Sequence, residues 1–394
     1  MDDPRSVIER SLTRAGSESY TLESFYRKRD RKRARQRFTA GIVGLSIAIV
    51  LAVVGSAILR SAPEDKDVGG KGPQILRNGE VLQLADDYVT LVATDRVTGH
   101  QRILHRCDEC GYVGQFALSA EGDWIAYTPV CGGGCTPDEI GLWVVDADGP
   151  ATRVTTTLPW TWAWSPTRDQ LAFVDRSVLP ELVLFDPATD ERTSITKEAG
   201  ISALSWSPDG TAIAIASSSS GLSVIDLGTG RSTALGPVRE GDVMSWSPDG
   251  TRLVLDEVRE DRNRIVVVNA DASGRRVLVD QDVPVGLGAP AWSPDGTRIA
   301  YVRTPGPPGS TGRFSFEVWV IGADGADATR LFHGDCCIGD GSGPVWSPDG
   351  TRLAFFDDVD VRYGRLLVVN ADGSGSPKRV DELEFDGWLQ GSAR

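Results

Sequence analysis

From about residue 75 onward, apolar residues fall in short runs such as IAYV, LWVV, LVLF, IAIA and LLVV, separated by clusters of Gly, Pro, Asp, Ser and Thr. Several runs, LVL at 182–184 and VVV at 266–268 among them, are apolar without alternation. That pattern predicts β-strands buried on both faces and punctuated by tight turns, not amphipathic helices.

The runs recur in register. AWSPDGTRIAYV (291–302) has near copies in SWSPDGTAIAIA (205–216), SWSPDGTRLVLD (245–256) and VWSPDGTRLAFF (345–356), with weaker ones in AWSPTRDQLAFV (163–174) and ALSAEGDWIAYT (117–128). The repeated tryptophans are Trp164, Trp206, Trp246, Trp292 and Trp346, and Leu118 takes the matching place in the earliest unit. Successive intervals of 46, 42, 40, 46 and 54 residues have the period of propeller blades. A second half recurs in each unit as LWVVDADG, LVLFDPATD, LSVIDLGTG, IVVVNADASG, VWVIGADG and LLVVNADGSG. Each unit therefore scans as four strands. The first ends at the Trp, Pro-Asp-Gly turns the chain, two apolar strands follow, and an Asp-Gly or Thr-Gly turn leads to an outer fourth. The Trp side chains are expected to wedge between neighbouring sheets as repeat core. The Asp and Gly are expected to shape turns. The DADG and NADGSG stretches lack the ligand series and terminal Glu of a calcium loop and are read as hairpin turns.

One such unit cannot bury its own two faces, so repetition must close a ring. Six units begin at 118, 164, 206, 246, 292 and 346. Before them, EVLQL, YVTLVATDRVTG and HQRIL supply three further strands. After them, FDGWLQG places Trp388 42 residues beyond Trp346. These fragments complement each other as a composite seventh blade; six blades with the ends packed outside is the alternative. The expected fold is all-β, a propeller of four-stranded blades over 75–394.

The WSPDG-x-x-[IL]-A-[FY] pattern resembles the WD40-like (PD40, TolB-like) β-propeller repeat, and the chain reads as a single-pass, membrane-anchored bacterial member of that family. The resemblance implies the fold and leaves function open. The family includes periplasmic scaffold proteins and the propellers of dipeptidyl-peptidase-like and prolyl-oligopeptidase-like enzymes. Those enzymes carry an α/β-hydrolase domain, and the G-x-S-x-G elbow of such a domain does not occur here.

Residues 39–59, TAGIVGLSIAIVLAVVGSAIL, contain no charge. At about 1.5 Å rise each they cover roughly 30 Å, the thickness of a bilayer core. A transmembrane helix is expected over 38–60, with a linker over 61–74. The preceding YRKRDRKRARQR has eight basic residues and one acid, which places 1–37 in the cytoplasm and the propeller outside. A cleaved signal peptide is the alternative, although its apolar region is usually shorter.

Charge sharpens this division. Residues 1–60 hold 12 Lys/Arg and 6 Asp/Glu; the remainder holds 29 against 49, a net of -20 within the total of -14. So acidic a globular part would repel phosphates, and nucleic acid is not an expected partner.

The cysteines are Cys107, Cys110, Cys131, Cys135, Cys336 and Cys337. On the strand map they lie in second-to-third-strand loops or between blades, which puts all six on one face. Outside the cell, disulfides are the expected chemistry, with connectivity open. The Cys-x2-Cys and Cys-x3-Cys spacing with nearby His105 and His333 also imitates a zinc site, which stays the alternative. No cofactor is expected. The same face carries TPGPPGSTGRFSFE (304–317), a candidate binding loop with Arg313, Phe314 and Phe316. The expected function is an extracytoplasmic scaffold or sensor ectodomain that binds a protein or envelope component. The alternative is an enzyme, such as a lactonase, lyase or glycan hydrolase, working at the central channel.

Overall fold

The computed structural model describes residues 75–379 except 77–79, 86, 96, 108–110, 131–139, 147–148, 160, 177–179, 239–242, 260, 306–314, 335–342 and 358–364. Seven sheets follow one another along the chain, each in simple sequential order. Six are four-stranded and form blades 1 to 6, spanning 112–153, 162–197, 201–236, 244–282, 286–334 and 345–379. The seventh blade shows three strands, Glu80–Leu84, Thr90–Asp95 and Gln101–Arg106, antiparallel in that order. This is a seven-bladed β-propeller. The segment expected to add the missing inner strand, with Trp388, lies outside the described residues, as does the expected membrane span at 38–60. Among the described residues no helix is long and apolar enough to cross a membrane.

The first strand of each blade lies at the hub, where the first strands of successive blades approach one another. The second and third strands carry the core. Every residue of Ala212–Ser217 is buried, as are the first five of Gly221–Asp226. Double-sided burial leaves no polar face, which is why these runs read as unbroken apolar stretches. The fourth strands are exposed, Glu191–Lys197 and Arg276–Asp282 among them, and read accordingly as polar.

Core layers form between blades rather than within them. One joins Leu171 and Phe173 of blade 2 to Ala126 and Val144 of blade 1; another joins Phe355 and Leu367 of blade 6 to Val318 and Val320 of blade 5. A repeat tryptophan sits in each of five layers: Trp164, Trp206, Trp246, Trp292 and Trp346 are all under 9% exposed. Burying about 200 Å² of indole at 25 cal/mol/Å² contributes roughly 5 kcal/mol gross per layer.

The SPDG turns have one repeated geometry. In blade 3 the Ser207 hydroxyl donates to Asp209 Oδ1 at 2.6 Å, and Thr211 donates to the same oxygen from its amide at 3.0 Å and its hydroxyl at 2.9 Å. Ser207 Oγ in turn accepts the Ala212 amide at 2.9 Å. Blades 4, 5 and 6 repeat the pattern around Asp249, Asp295 and Asp349. Gly210, Gly250, Gly296 and Gly350 close these turns with φ of +68° or +69°, a region that L side chains resist.

Candidate functional site

Because every blade is antiparallel and sequential, first-to-second and third-to-fourth connections emerge at one edge, and second-to-third and inter-blade connections at the other. The first edge is a face of short turns, SPDGT at 207–211, 247–251, 293–297 and 347–351. The second is a loop face. It receives the connections at 131–142, 305–315 and 335–344 that join strands Ile125–Val130 to Trp143–Val145, Arg298–Thr304 to Phe316–Gly322, and Thr329–Gly334 to Val345–Trp346.

On this face Cys107 is disulfide-bonded. Cys110, Cys131, Cys135, Cys336 and Cys337 lie outside the described residues, although the connections that contain them leave from the same edge. Beside Cys107, His105 Nε2 meets the buried Tyr127 hydroxyl at 2.9 Å and ties blade 7 to blade 1. Burial pushes the Tyr127 phenol well above its ordinary range. Among the described residues no three His, Cys, Asp or Glu side chains come together as a metal would require.

Of the candidate loop, Arg313 and Phe314 lie outside the described residues. Phe316 is a correction to the sequence reading. It opens the strand Phe316–Gly322, is 2% exposed, and packs edge-on against Phe355 with Phe332 alongside. The alternation of Phe316, Val318 and Val320 is the signal that marks a core face, and the neighbouring glycines and prolines obscured where the loop ends.

The next residue, Glu317, gathers a polar cluster among the described residues, and it was not singled out from the sequence. It is 4% exposed. Its Oε2 accepts Arg303 Nη1 at 2.7 Å and Trp319 Nε1 at 2.9 Å, and its Oε1 accepts Arg330 Nη1 at 2.9 Å. His333 Nδ1 stands 3.6 Å from Oε1. Burial raises the Glu317 pKa, but the hydrogen bonds from Trp319, Arg303 and Arg330 outweigh it and hold the carboxyl below its ordinary range. Tyr301, stacked on Trp319, is pushed up to about 12, chiefly by burial. Glu317 is thus a buried carboxylate anchor held by three side-chain donors. What it presents outward is the Arg330 guanidinium, 53% exposed, with the His333 imidazole, 46% exposed, beside it. A charged residue between two apolar runs of a doubly buried strand must be buried and paired, and that rule is the signal that reveals it.

In blade 4 a second buried carboxylate, Glu257, is bridged by Arg275 and lies 3.8 Å from Arg264. The adjacent Asp256 turns the other way, accepting the Val243 amide at 2.6 Å and approaching the backbone of the hub strand at Gly288. The six described inner strands, YVGQFAL, WAW, ISALSW, MSW, GLGAPAW and VW, carry Tyr112 as their single ionisable side chain.

With this architecture in view, comparisons with known proteins locate the chain among propellers. No protein-family model matches it. It is 28% identical over 109 residues to the uncharacterized peptidase YuxL of Bacillus subtilis, an alignment covering 27% of this chain; the chain thus spans 16% of the length of that curated relative. Among solved structures it is similar to oligogalacturonate lyase from Vibrio parahaemolyticus, with 13% identity, a TM-score of 0.50, and coverage of 71% of this chain and 82% of that one. It is also similar to TolB from Acinetobacter baumannii, with 18% identity, a TM-score of 0.44, and coverage of 77% and 79%. At these identities the shared property is the propeller fold.

Proposed function

We propose that the protein is a single-pass membrane protein whose extracytoplasmic propeller is a binding scaffold or sensor ectodomain for a protein or envelope component. The observation that carries this reading is the inequality of the two faces. One is closed by near-identical turns. The other bears the long connections, the disulfide at Cys107, and the Arg330 and His333 rim fixed from below by Glu317. Variable segments on a rigid scaffold are where recognition concentrates. An exposed guanidinium at Arg330, on a propeller whose residues 75–394 carry a net of -19, is a local exception suited to an acidic partner surface. The uncharged segment at 39–59 and its basic flank supply the tether and its direction.

The test is crosslinking on intact cells with the full chain, comparing wild type with Arg330→Glu. The reading expects a crosslinked partner that is lost in the variant. Failure to capture any partner, together with turnover of a glycan or lactone panel by the purified full chain, would replace it with a channel enzyme.

A further inference from the structure

On the opposite face, blades 4 and 5 leave a groove of about 580 Å³, within the size range of small-ligand sites. Blade 4 contributes Arg252 and Arg276; blade 5 contributes Thr297, Arg298, Asp324 and Asp327. Arg298 is already committed: its guanidinium lies 4.9 Å from the Trp346 ring centre and donates to the Gly350 carbonyl at 2.6 Å. Arg252 is held from behind by Trp292, 4.6 Å from the ring centre, yet makes only a 3.5 Å contact to the Gly296 carbonyl and a 3.9 Å approach to Asp249. Arg276 makes no side-chain hydrogen bond or ion pair among the described residues. Asp327 is equally unpaired through its side chain, and Asp324 Oδ1 accepts only the Ala326 amide at 3.0 Å.

Two guanidiniums of blade 4 therefore share a groove with two carboxylates and the Trp346-bound Arg298 of blade 5, and among the described residues no ion pair joins Arg252 or Arg276 to Asp324 or Asp327. Two features favour ligand binding over mere surface charge. The stacking on Trp292 pre-orients Arg252, and the opposed charges are kept apart rather than neutralised. A multiply charged anion would be repelled by the aspartates, and a polycation by the arginines. The geometry points to a zwitterion site: a short peptide or amino acid whose carboxylate meets Arg252 and Arg276 and whose ammonium meets Asp324 and Asp327. The site lies on the turn face, so its failure would leave the loop-face reading untouched.

The experiment titrates the full chain in detergent, at about 0.15 M salt to screen diffuse attraction, with alanine and the di-, tri- and tetra-alanine peptides. The series varies charge separation by about 3.5 Å per residue. One length is expected to bind saturably, with at least a tenfold loss on N-acetylation and again on C-amidation. Arg276→Gln and Asp327→Asn, both at exposed positions, should each weaken that ligand by a similar factor without lowering the melting temperature. Absence of binding across the series, equal binding of the acetylated peptide, or wild-type affinity in both variants would overturn the proposal.

Discussion

The indole nitrogen of Trp206 donates to the Ala163 carbonyl at 3.1 Å, joining the inner strands of two successive blades. Trp164, Trp246 and Trp346 repeat the bond to Ala117, Ser205 and Ala291, each at 3.1 Å. The acceptor in every case is the residue before the corresponding position of the preceding blade. The repeat thus encodes a ring of directional bonds as well as a ring of buried surface. Trp292 is the exception, since its Nε1 has no partner among the described residues.

That difference is measurable. Trp206→Phe keeps an aromatic ring but strands the Ala163 carbonyl, and should cost about 1–3 kcal/mol in chemical denaturation. Trp292→Phe removes an N–H that is already unpaired and should cost visibly less. Equal losses would mean that the indole bonds contribute nothing. Trp206→Ala should cost about 3–5 kcal/mol through the cavity it leaves.

The turn glycines separate in the same way. All four would strain an added side chain at positive φ, by about 1–2 kcal/mol. At Gly210 an added Cβ would also stand 2.3 Å from Thr167 Oγ1, whereas at Gly250 the nearest atom, Pro208 Cδ, is 3.7 Å away. Gly210→Ala should therefore lower the melting temperature more than Gly250→Ala, as thermal unfolding of the two variants would reveal.

The turn aspartates make stability sensitive to acid. For Asp209, Asp249, Asp295 and Asp349 burial raises the pKa, but the Ser and Thr donors outweigh it, so each lies below the ordinary 3.8. A carboxylate with a depressed folded pKa stabilises fully above its unfolded value, and that contribution is lost as pH falls through the folded one. Unfolding free energy should be flat in this respect above pH 5 and fall below pH 4. Asp295→Asn should flatten the acid limb and cost about 1 kcal/mol at neutral pH, where one charged acceptor is exchanged for a weaker neutral one. An unchanged acid limb would deny the turn carboxylates this role.

Ring closure makes its own prediction. Blade 7 shows three strands, and the sequence offers its fourth in FDGWLQG, 42 residues beyond Trp346. If that segment closes blade 7, removing residues 381–394 should cost several kcal/mol through the loss of an inner strand and its Trp. Trp388→Ala should reproduce most of that loss. If both are neutral, blade 7 closes without that segment.

The strands, the blade period and the turn role of SPDG were legible because each depends on residues close in sequence. IAIA read as doubly buried, and Ser207, Asp209 and Thr211 bond within one turn. The cross-blade relations were not legible. Arg252 stacks on Trp292 and Arg298 on Trp346, pairs about one blade apart whose facing is set only once the ring forms. Glu317 stood only as the last residue of the 304–317 loop, because its partners Arg303 and Arg330 lie on different strands. Phe316 was assigned to a loop because glycine and proline mark where loops occur more sharply than where they end.

The proposal that the propeller is tethered and faces outward is tested most directly by topology. Alkaline phosphatase and a green fluorescent protein should each be fused after residue 394 of the full chain and expressed in intact bacterial cells. An active phosphatase fusion and a dark fluorescent one, both in the membrane fraction, are the predicted result. A fluorescent fusion with inactive phosphatase would put the propeller in the cytoplasm and contradict the account.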